Sequence, residues 1–354
     1  MAMPLPEWMA RTLVVAGAAL TISVNKSDTR ENMRTRTIGF GIGLVAAAIA
    51  LTQPAMAQTR YPTRPVTLVV PFAPGGSGDV TIRYIADQLQ KSKSTAMVVE
   101  NRPGGGATIG MSFLARSAPD GYTVGLISTS PFTVTPYFQK VPYDPIKDFT
   151  FLAQYTIQPA PIYVTTESRF KTIEDLIEFG RANPGKIRWT TAAARGTNHI
   201  AIEAALRQSN VRATFVTFGG GAEGLTSLLG GNLEFAAGTD FGPPLKNKQI
   251  RLLAETGPVK IAGHPEVKTF SELGYPLILP IFLGIGGPAG LSAEAVKFWE
   301  DSMREMAGSP PFIEMLAKYF SQPEFLDGKA FAQRIRDAHA STGKAVVELG
   351  MIPK

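Results

Sequence analysis

The sequence contains no cysteine. Disulfides and thiolate chemistry are therefore excluded, and the absence fits an exported protein that avoids mispairing. Histidine is almost as scarce: His199, His264 and His339 are the only three. None stands in a ligand spacing such as H-E-x-x-H, so no metal site is expected. No G-x-S-x-G elbow occurs. Ser168-Arg-Phe-Lys171 and Ser341-Thr-Gly-Lys344 fit S-x-x-K in form only, without the companion elements of a penicillin-binding enzyme. With no nucleophile–base set, catalysis is not expected. Gly76-x-Gly78 lacks the third glycine of a dinucleotide fingerprint and no Walker A sequence exists, so no cofactor is expected. Basic residues are scattered rather than clustered, which tells against a nucleic-acid partner.

Long apolar runs are also missing. The longest near the N-terminus, Ile38 to Leu51, has 14 residues, too few to span a bilayer comfortably. It follows the basic start Met33-Arg-Thr-Arg36 and precedes Pro54 and Ala55-Met-Ala57, an A-x-A pattern. This reads as a signal peptide over 33–57, cleaved after Ala57. Residues 1–32 read as an upstream extension from a mis-assigned start, with a tail containing the poor anchor Leu13 to Val24 as the other reading. Removing 1–57 takes away five basic and three acidic residues, and the net charge falls from +6 to +4. The remaining length suggests two domains.

What is present is a recurring alternation of strand, small-residue loop and helix. Val66 to Val70 is a short β-branched run. Pro71 to Ser77 follows it, and a helix carries Val80, Ile82, Ile85 and Leu89, with Asp79 as a candidate cap. Two further strands, Met97–Glu100 and Thr123–Ile127, complete a βαβαβ order, which argues for a doubly wound α/β sheet. A second βα series runs from a helix capped by Thr172 through strands at Ile187–Thr191, Thr214–Phe218, Leu233–Ala237 and Ile250–Ala254. Helices near Ser292–Met306, Pro311–Tyr319 and Gly328–Leu349 close the chain.

Four strands run into loops of Gly, Ser, Thr or Ala: Gly75–Ser77, Ser128–Ser130, Thr191–Thr197 and Gly238–Thr239. In open α/β sheets ligands bind beyond the carboxyl ends of the strands. The turn Gly75-Gly76-Ser77 presents backbone N–H groups at a helix N-terminus, where the dipole favours an anion. Taken by itself this turn is equally a tight connection. Two facing sheets with such loops make a cleft of N–H and hydroxyl donors, suited to a carboxylate. His199, beside the third loop, reads either as a structural hydrogen-bonding residue or as a ligand contact.

Several motifs together carry a family resemblance. Tyr61-Pro-x-Arg-Pro-Val-x-Leu-Val-Val-Pro-Phe-x-Pro-Gly-Gly-x-x-Asp79 resembles the opening of mature Bug proteins, the extracytoplasmic receptors of the tripartite tricarboxylate transporter system (TctC-like). Val98-Val-Glu-Asn-Arg-Pro-Gly-Gly105, Ala118-Pro-Asp-Gly-Tyr-Thr123, Pro142-Tyr-Asp-Pro-Ile-Lys-Asp-Phe149, Asn183-Pro-Gly-Lys186, Leu228-Leu-Gly-Gly-Asn232 and Gly287-Pro-Ala-Gly290 agree with it. The likeness covers essentially all of 58–354. It implies a type II periplasmic binding protein: two doubly wound α/β domains with a ligand cleft between them, 58–160 with 282–354 as domain 1 and 161–281 as domain 2. It implies a monomer in the periplasm that hands a small organic carboxylate to membrane permease subunits, or else signals to a sensor kinase. The implied ligand contacts are Phe72, Gly75, Gly76 and Ser77; Ser128, Thr129 and Ser130; Thr191, Ala192, Ala193 and Thr197; and Gly238 and Thr239.

Two departures from the family pattern bear on the ligand. Amino-acid-binding members carry an Asp where this chain has Gly238, with Asp240 two residues on. This disfavours an amino-acid ligand. In Thr190-Thr-Ala-Ala-Ala-Arg195-Gly-Thr-Asn-His199, Arg195 replaces a small residue. Facing the cleft it would clamp a second carboxylate in bidentate fashion; facing solvent it would do nothing. The expectation is a di- or tricarboxylate or an aromatic acid.

Overall fold

Two β-sheets carry the chain, as a computed structural model describing residues 61–352 shows. Both sheets lie within one compact unit, Thr59–Lys354. The signal peptide expected over 33–57 and the extension over 1–32 fall outside the described residues.

The first sheet starts from β1 (Val66–Val70), β2 (Met97–Asn101) and β3 (Thr123–Ser128), with β1 paired in parallel to both neighbours. Parallel strands need crossovers, and α1 (Ser77–Lys93) and α2 (Thr108–Ala115) supply them. Two short turns of helix, α3 (Ser130–Thr133) and α4 (Thr135–Phe138), lead to β4 (Phe149–Gln158). The chain then crosses over and builds the second sheet from β5 (Pro161–Thr165), β6 (Arg188–Thr191), β7 (Thr214–Phe215), β8 (Phe235–Ala237) and β9 (Ile250–Glu255). Helices α5 (Ile173–Ala182), α6 (Thr197–Gln208), α7 (Gly221–Leu229) and α8 (Gly242–Lys246) connect these strands. It returns to the first sheet as β10 (Ile281–Pro288), α9 (Ala293–Ala307), α10 (Pro310–Ala317), β11 (Gln322–Asp327) and α11 (Gly328–Glu348).

The sheet orders are β11-β4-β10-β3-β1-β2 and β7-β6-β8-β5-β9. Each has a parallel core, β2-β1-β3 in one and β7-β6-β8 in the other, and antiparallel strands where the chain enters from the opposite lobe. The returning β10 wedges between β3 and β4, antiparallel to both. Each sheet with its helices forms one α/β domain, and the carboxyl ends of the parallel strands in both face a common cleft.

Local sequence explains most elements. On α1, Ile82, Ile85 and Leu89 recur at helical spacing and are buried against Val66, Leu68 and Val70; each such side chain is worth roughly 1.5–3 kcal/mol on burial. Helix α5 opens with a capping box, Thr172 Oγ1 accepting from Asp175 N and Asp175 Oδ2 from Thr172 N. Trp189 on β6 stacks on Phe235 of β8 at 5.3 Å and packs edge-on against Phe215 of β7, anchoring the second core. Asp79 is not the helix cap its position suggested: α1 begins two residues earlier at Ser77, with Gly76 before it. Strand β11 has no apolar period to announce it. It is a half-exposed edge strand bearing Pro323, a place where the sheet tolerates proline. Among the described residues, no helix is long and apolar enough to cross a membrane.

Candidate functional site

The first loop is fixed by a polar knot beneath it. Asp79 Oδ2 accepts from Gly75 N and from Arg83 Nε, both at 2.9 Å, while Oδ1 accepts from Asn101 Nδ2 at 2.8 Å. Asn101 Nδ2 also donates to Phe72 O at 3.0 Å, and Arg83 Nη2 donates to Asn101 Oδ1 at 2.7 Å. Burial alone would raise the Asp79 pKa, but the donors from Arg83, Gly75 and Asn101 outweigh it and hold the carboxylate below its ordinary range. The Glu-Asn-Arg-Pro-Gly motif thus positions the Pro-Gly-Gly turn. In the same way the Pro-Tyr-Asp-Pro motif supports the second loop, since Tyr143 Oη donates to Pro131 O at 3.0 Å.

The loops meet across a cavity of about 70 Å3 between the sheets, several times the roughly 10–15 Å3 that one water needs. Phe72, Gly76 and Ser77 of the first loop line it, with Ser128, Thr129 and Ser130 of the second. Thr191, Ala192, Ala193 and Thr197 come from the third, and Gly238 and Thr239 from the fourth. The two domains are bridged there. Ser77 Oγ and Thr239 Oγ1 lie 2.6 Å apart, and Ser130 Oγ and Thr197 Oγ1 lie 2.9 Å apart; Thr197 N also donates to Ser130 Oγ at 3.0 Å. Ser128 Oγ is buried without a hydrogen-bond partner, where a buried hydroxyl normally finds one. At Gly238, with φ 145°, an added Cβ would meet nothing within 4 Å.

Two expected contacts stand elsewhere. Gly75 does not line the cavity; it sits at φ 92° and its N–H donates to Asp79 Oδ2. Arg195 does not face inward as a clamp. It sits at φ 55°, its backbone N–H donates to His199 Nδ1 at 2.9 Å, and its exposed side chain reaches Phe138 O at 3.3 Å and Gln139 Oε1 at 3.4 Å. His199 is structural: Nε2 lies 3.0 Å from Glu203 Oε1, and the ring stacks on Phe215 at 3.8 Å.

Several lining residues were not anticipated: Gln158, Asn198, Gly221, Asp240, Ile281 and Leu283 among them. Asp240 is the most consequential. Its Oδ1 accepts from Ser77 N at 2.6 Å, across the cleft and at the start of α1. Burial raises its pKa, with the backbone and side-chain hydrogen bonds of Ser77 opposing. The only available signal for it was an acid two residues beyond a strand-end glycine. Asn198 ties the third loop to the crossing strands, donating to Thr256 Oγ1 at 2.8 Å and to Ala160 O at 3.3 Å. Among the described residues, no lysine, arginine or histidine lines the cavity, and no cluster of His, Asp and Glu is arranged to hold a metal.

Comparison with known proteins agrees with this architecture. The UPF0065 protein in the gbd 5′ region of Cupriavidus necator is 29% identical over 311 residues, covering 87% of this chain and 94% of the relative. A solved periplasmic transporter superposes with a TM-score of 0.77 at 28% identity, covering 82% of this chain and 99% of that one. R. palustris Rpa4515, solved with adipate, superposes with a TM-score of 0.76 at 26% identity, covering 83% and 100%. Residues 81–351 match the family described as tripartite tricarboxylate transporter family receptor, TctC. With two α/β domains closing on one cleft of strand-end loops, the chain belongs to this family of periplasmic solute-binding receptors.

Proposed function

We propose that the protein captures an organic carboxylate in the periplasm, reached through the signal peptide over 33–57, and delivers it unchanged to the permease subunits of a tripartite-type membrane transporter. The observation that carries this reading is the cavity itself. It offers hydroxyls and glycine-loop backbone from both domains, and no basic side chain lines it. Such a lining suits an anion held by neutral donors. Adipate bound to a relative of 26% identity supports the same ligand class.

Closure is the mechanism. The open form is populated without solute; the solute contacts loops of both domains, and its differential affinity for the closed form shifts the population. The chain passes between the domains at 159–160 and again between β9 and β10, and the motion is absorbed at these two passages. Thermal-shift and calorimetric titration with C4 and C6 dicarboxylates, hydroxy acids, amino acids, citrate and benzoate tests the reading. A bound solute raises Tm by mass action, and the recovered solute is chemically unchanged. Saturating binding of a non-acidic solute with no response to any acid would overturn it.

A further inference from the structure

We propose that Asp240 is an anion built into the cavity, so that the receptor selects a solute with one carboxylate and a hydrogen-bond donor where a dicarboxylate would place its second acid. The inference rests on the carboxylate reading above and narrows it.

The Asp240 carboxylate lies between two helix N-termini, one from each domain. Oδ1 accepts from Ser77 N, the first residue of α1, at 2.6 Å. An ideal Cβ on Gly76 would lie 3.4 Å from Oδ1, and one on Gly221, the first residue of α7, would lie 1.8 Å from Oδ2. Only glycine at 221 leaves room for the carboxylate in this place. A pair of helix N-termini is the position an incoming anion would take. Here a side chain of the protein takes it.

Nothing else at the site neutralises that charge. Among the described residues the lining contains no basic side chain. The nearby Asp79 is already paired with Arg83 and accepts from Gly75 and Asn101, so Arg83 is taken up there and does not reach Asp240. Burial makes the ionised form of Asp240 costly, and Ser77 offsets only part of that cost. A solute that brings a hydroxyl, amide or ammonium to Asp240 completes the solvation of the carboxylate. A solute that brings a second carboxylate sets like charges against each other in a desolvated space. The single carboxylate of the solute has hydroxyl residues of its own at the second loop, where Ser128, Thr129 and Ser130 line the cavity and Ser128 Oγ has no partner. The outward side chain of Arg195 removes the one cation the sequence offered for a second acid.

Calorimetric titration at pH 7 with length-matched probes decides the matter: adipate, 6-hydroxyhexanoate and 6-aminohexanoate, then succinate, 4-hydroxybutanoate and 4-aminobutanoate. Each is titrated into the wild-type protein and into Asp240→Asn. Asn keeps an amide oxygen to accept from Ser77 N, so the fold is retained, and circular dichroism checks it. The wild type is expected to bind at least one donor-bearing monoacid about tenfold or more tighter than its matched dicarboxylate. In Asp240→Asn that preference shrinks at least tenfold. A wild type that prefers the dicarboxylates, or a variant with an unchanged ratio, overturns the role of Asp240 and leaves the carboxylate reading standing. Binding of no acid by either folded protein overturns both.

Discussion

Glu255 gives the fold a specific pH dependence. It ends β9 and is 0% exposed, at the point where the chain leaves the second domain. Its carboxylate accepts from Ala160 N, in the other crossing segment, at 3.0 Å to each oxygen, and from Gly257 N at 2.8 Å. Burial pushes its pKa up from 4.5 to about 8, against the pull of the two backbone donors. The folded-state pKa is therefore above the unfolded one, and the folded protein holds the extra proton between the two values. Stability is highest toward the lower end of that window and is lost as pH rises through the folded pKa. Between pH 5 and pH 8 the loss comes to roughly 3–4 kcal/mol, taking pKa values of 4.5 and about 8 at about 1.4 kcal/mol per unit. Glu255→Gln mimics the protonated side chain in shape, with one acceptor and one donor group. Urea denaturation of both proteins at pH 5 and pH 8 isolates the effect, since every other titrating group is common to both and cancels. The two should agree within about 1 kcal/mol at pH 5, and the variant should be more stable by about 3 kcal/mol at pH 8. A stability difference that is the same at both pH values would refute the reasoning, because it would mean that the backbone donors keep Glu255 ionised throughout.

Three other substitutions test separate parts of the structure. Tyr61→Phe removes a buried hydroxyl that donates to Gly121 O and accepts from Trp299 Nε1 at 2.9 Å. Two buried groups lose their partner, so chemical denaturation should show a loss of about 1–3 kcal/mol, and no change would mean that water replaces the hydroxyl. Ser128→Ala deletes a hydroxyl with no protein partner, so the melting temperature of the solute-free protein should stay within about 2 °C while affinity for the solute falls several-fold; an equal loss in both would make the residue structural. Arg195→Ala should leave solute affinity within about twofold, since the guanidinium points away from the cavity and an exposed contact of this kind is worth well under 1 kcal/mol. A tenfold loss by calorimetry would place the arginine within reach of the solute.

The parts of the fold that were legible in the sequence are those fixed by local chemistry. The apolar run Val66–Val70, the helical spacing of Ile82, Ile85 and Leu89, and the Thr172 box each determine an element without help from distant residues. The strand-end loops were legible for the same reason: small residues after a buried strand mark the place where a sheet offers backbone donors. Twelve of the fourteen residues expected at the ligand line one cavity. Features set by tertiary contact were not legible. The edge strand β11 exists because β4 offers it a partner, and its sequence has no period of its own. Gln158, Ile281 and Leu283 reach the cavity because β4 and β10 pass beneath it, a matter of sheet order. The outward course of Arg195 follows from a positive φ and a backbone bond to His199, neither visible in residue spacing.

Asp240 illustrates a subtler limit. Aligning strand ends puts glycine at 238, and an acid missing from that position disfavours an amino-acid ligand. The structure keeps an acid at the cavity all the same. After Gly238 the backbone takes one turn of 3-10 helix, Thr239–Phe241, which swings the residue at 240 across the cleft toward Ser77. An acid two positions late in sequence is not two positions away in space. Its carboxyl group remains in the cavity, but it now rests against α1 and α7 and joins the two domains, while the space beside Gly238 stays open. The cavity thus keeps an acid and changes its shape. A solute that fits must satisfy a carboxylate seated between two helix ends and also fill the room beside Gly238, and those two demands restrict it more tightly than the family resemblance does.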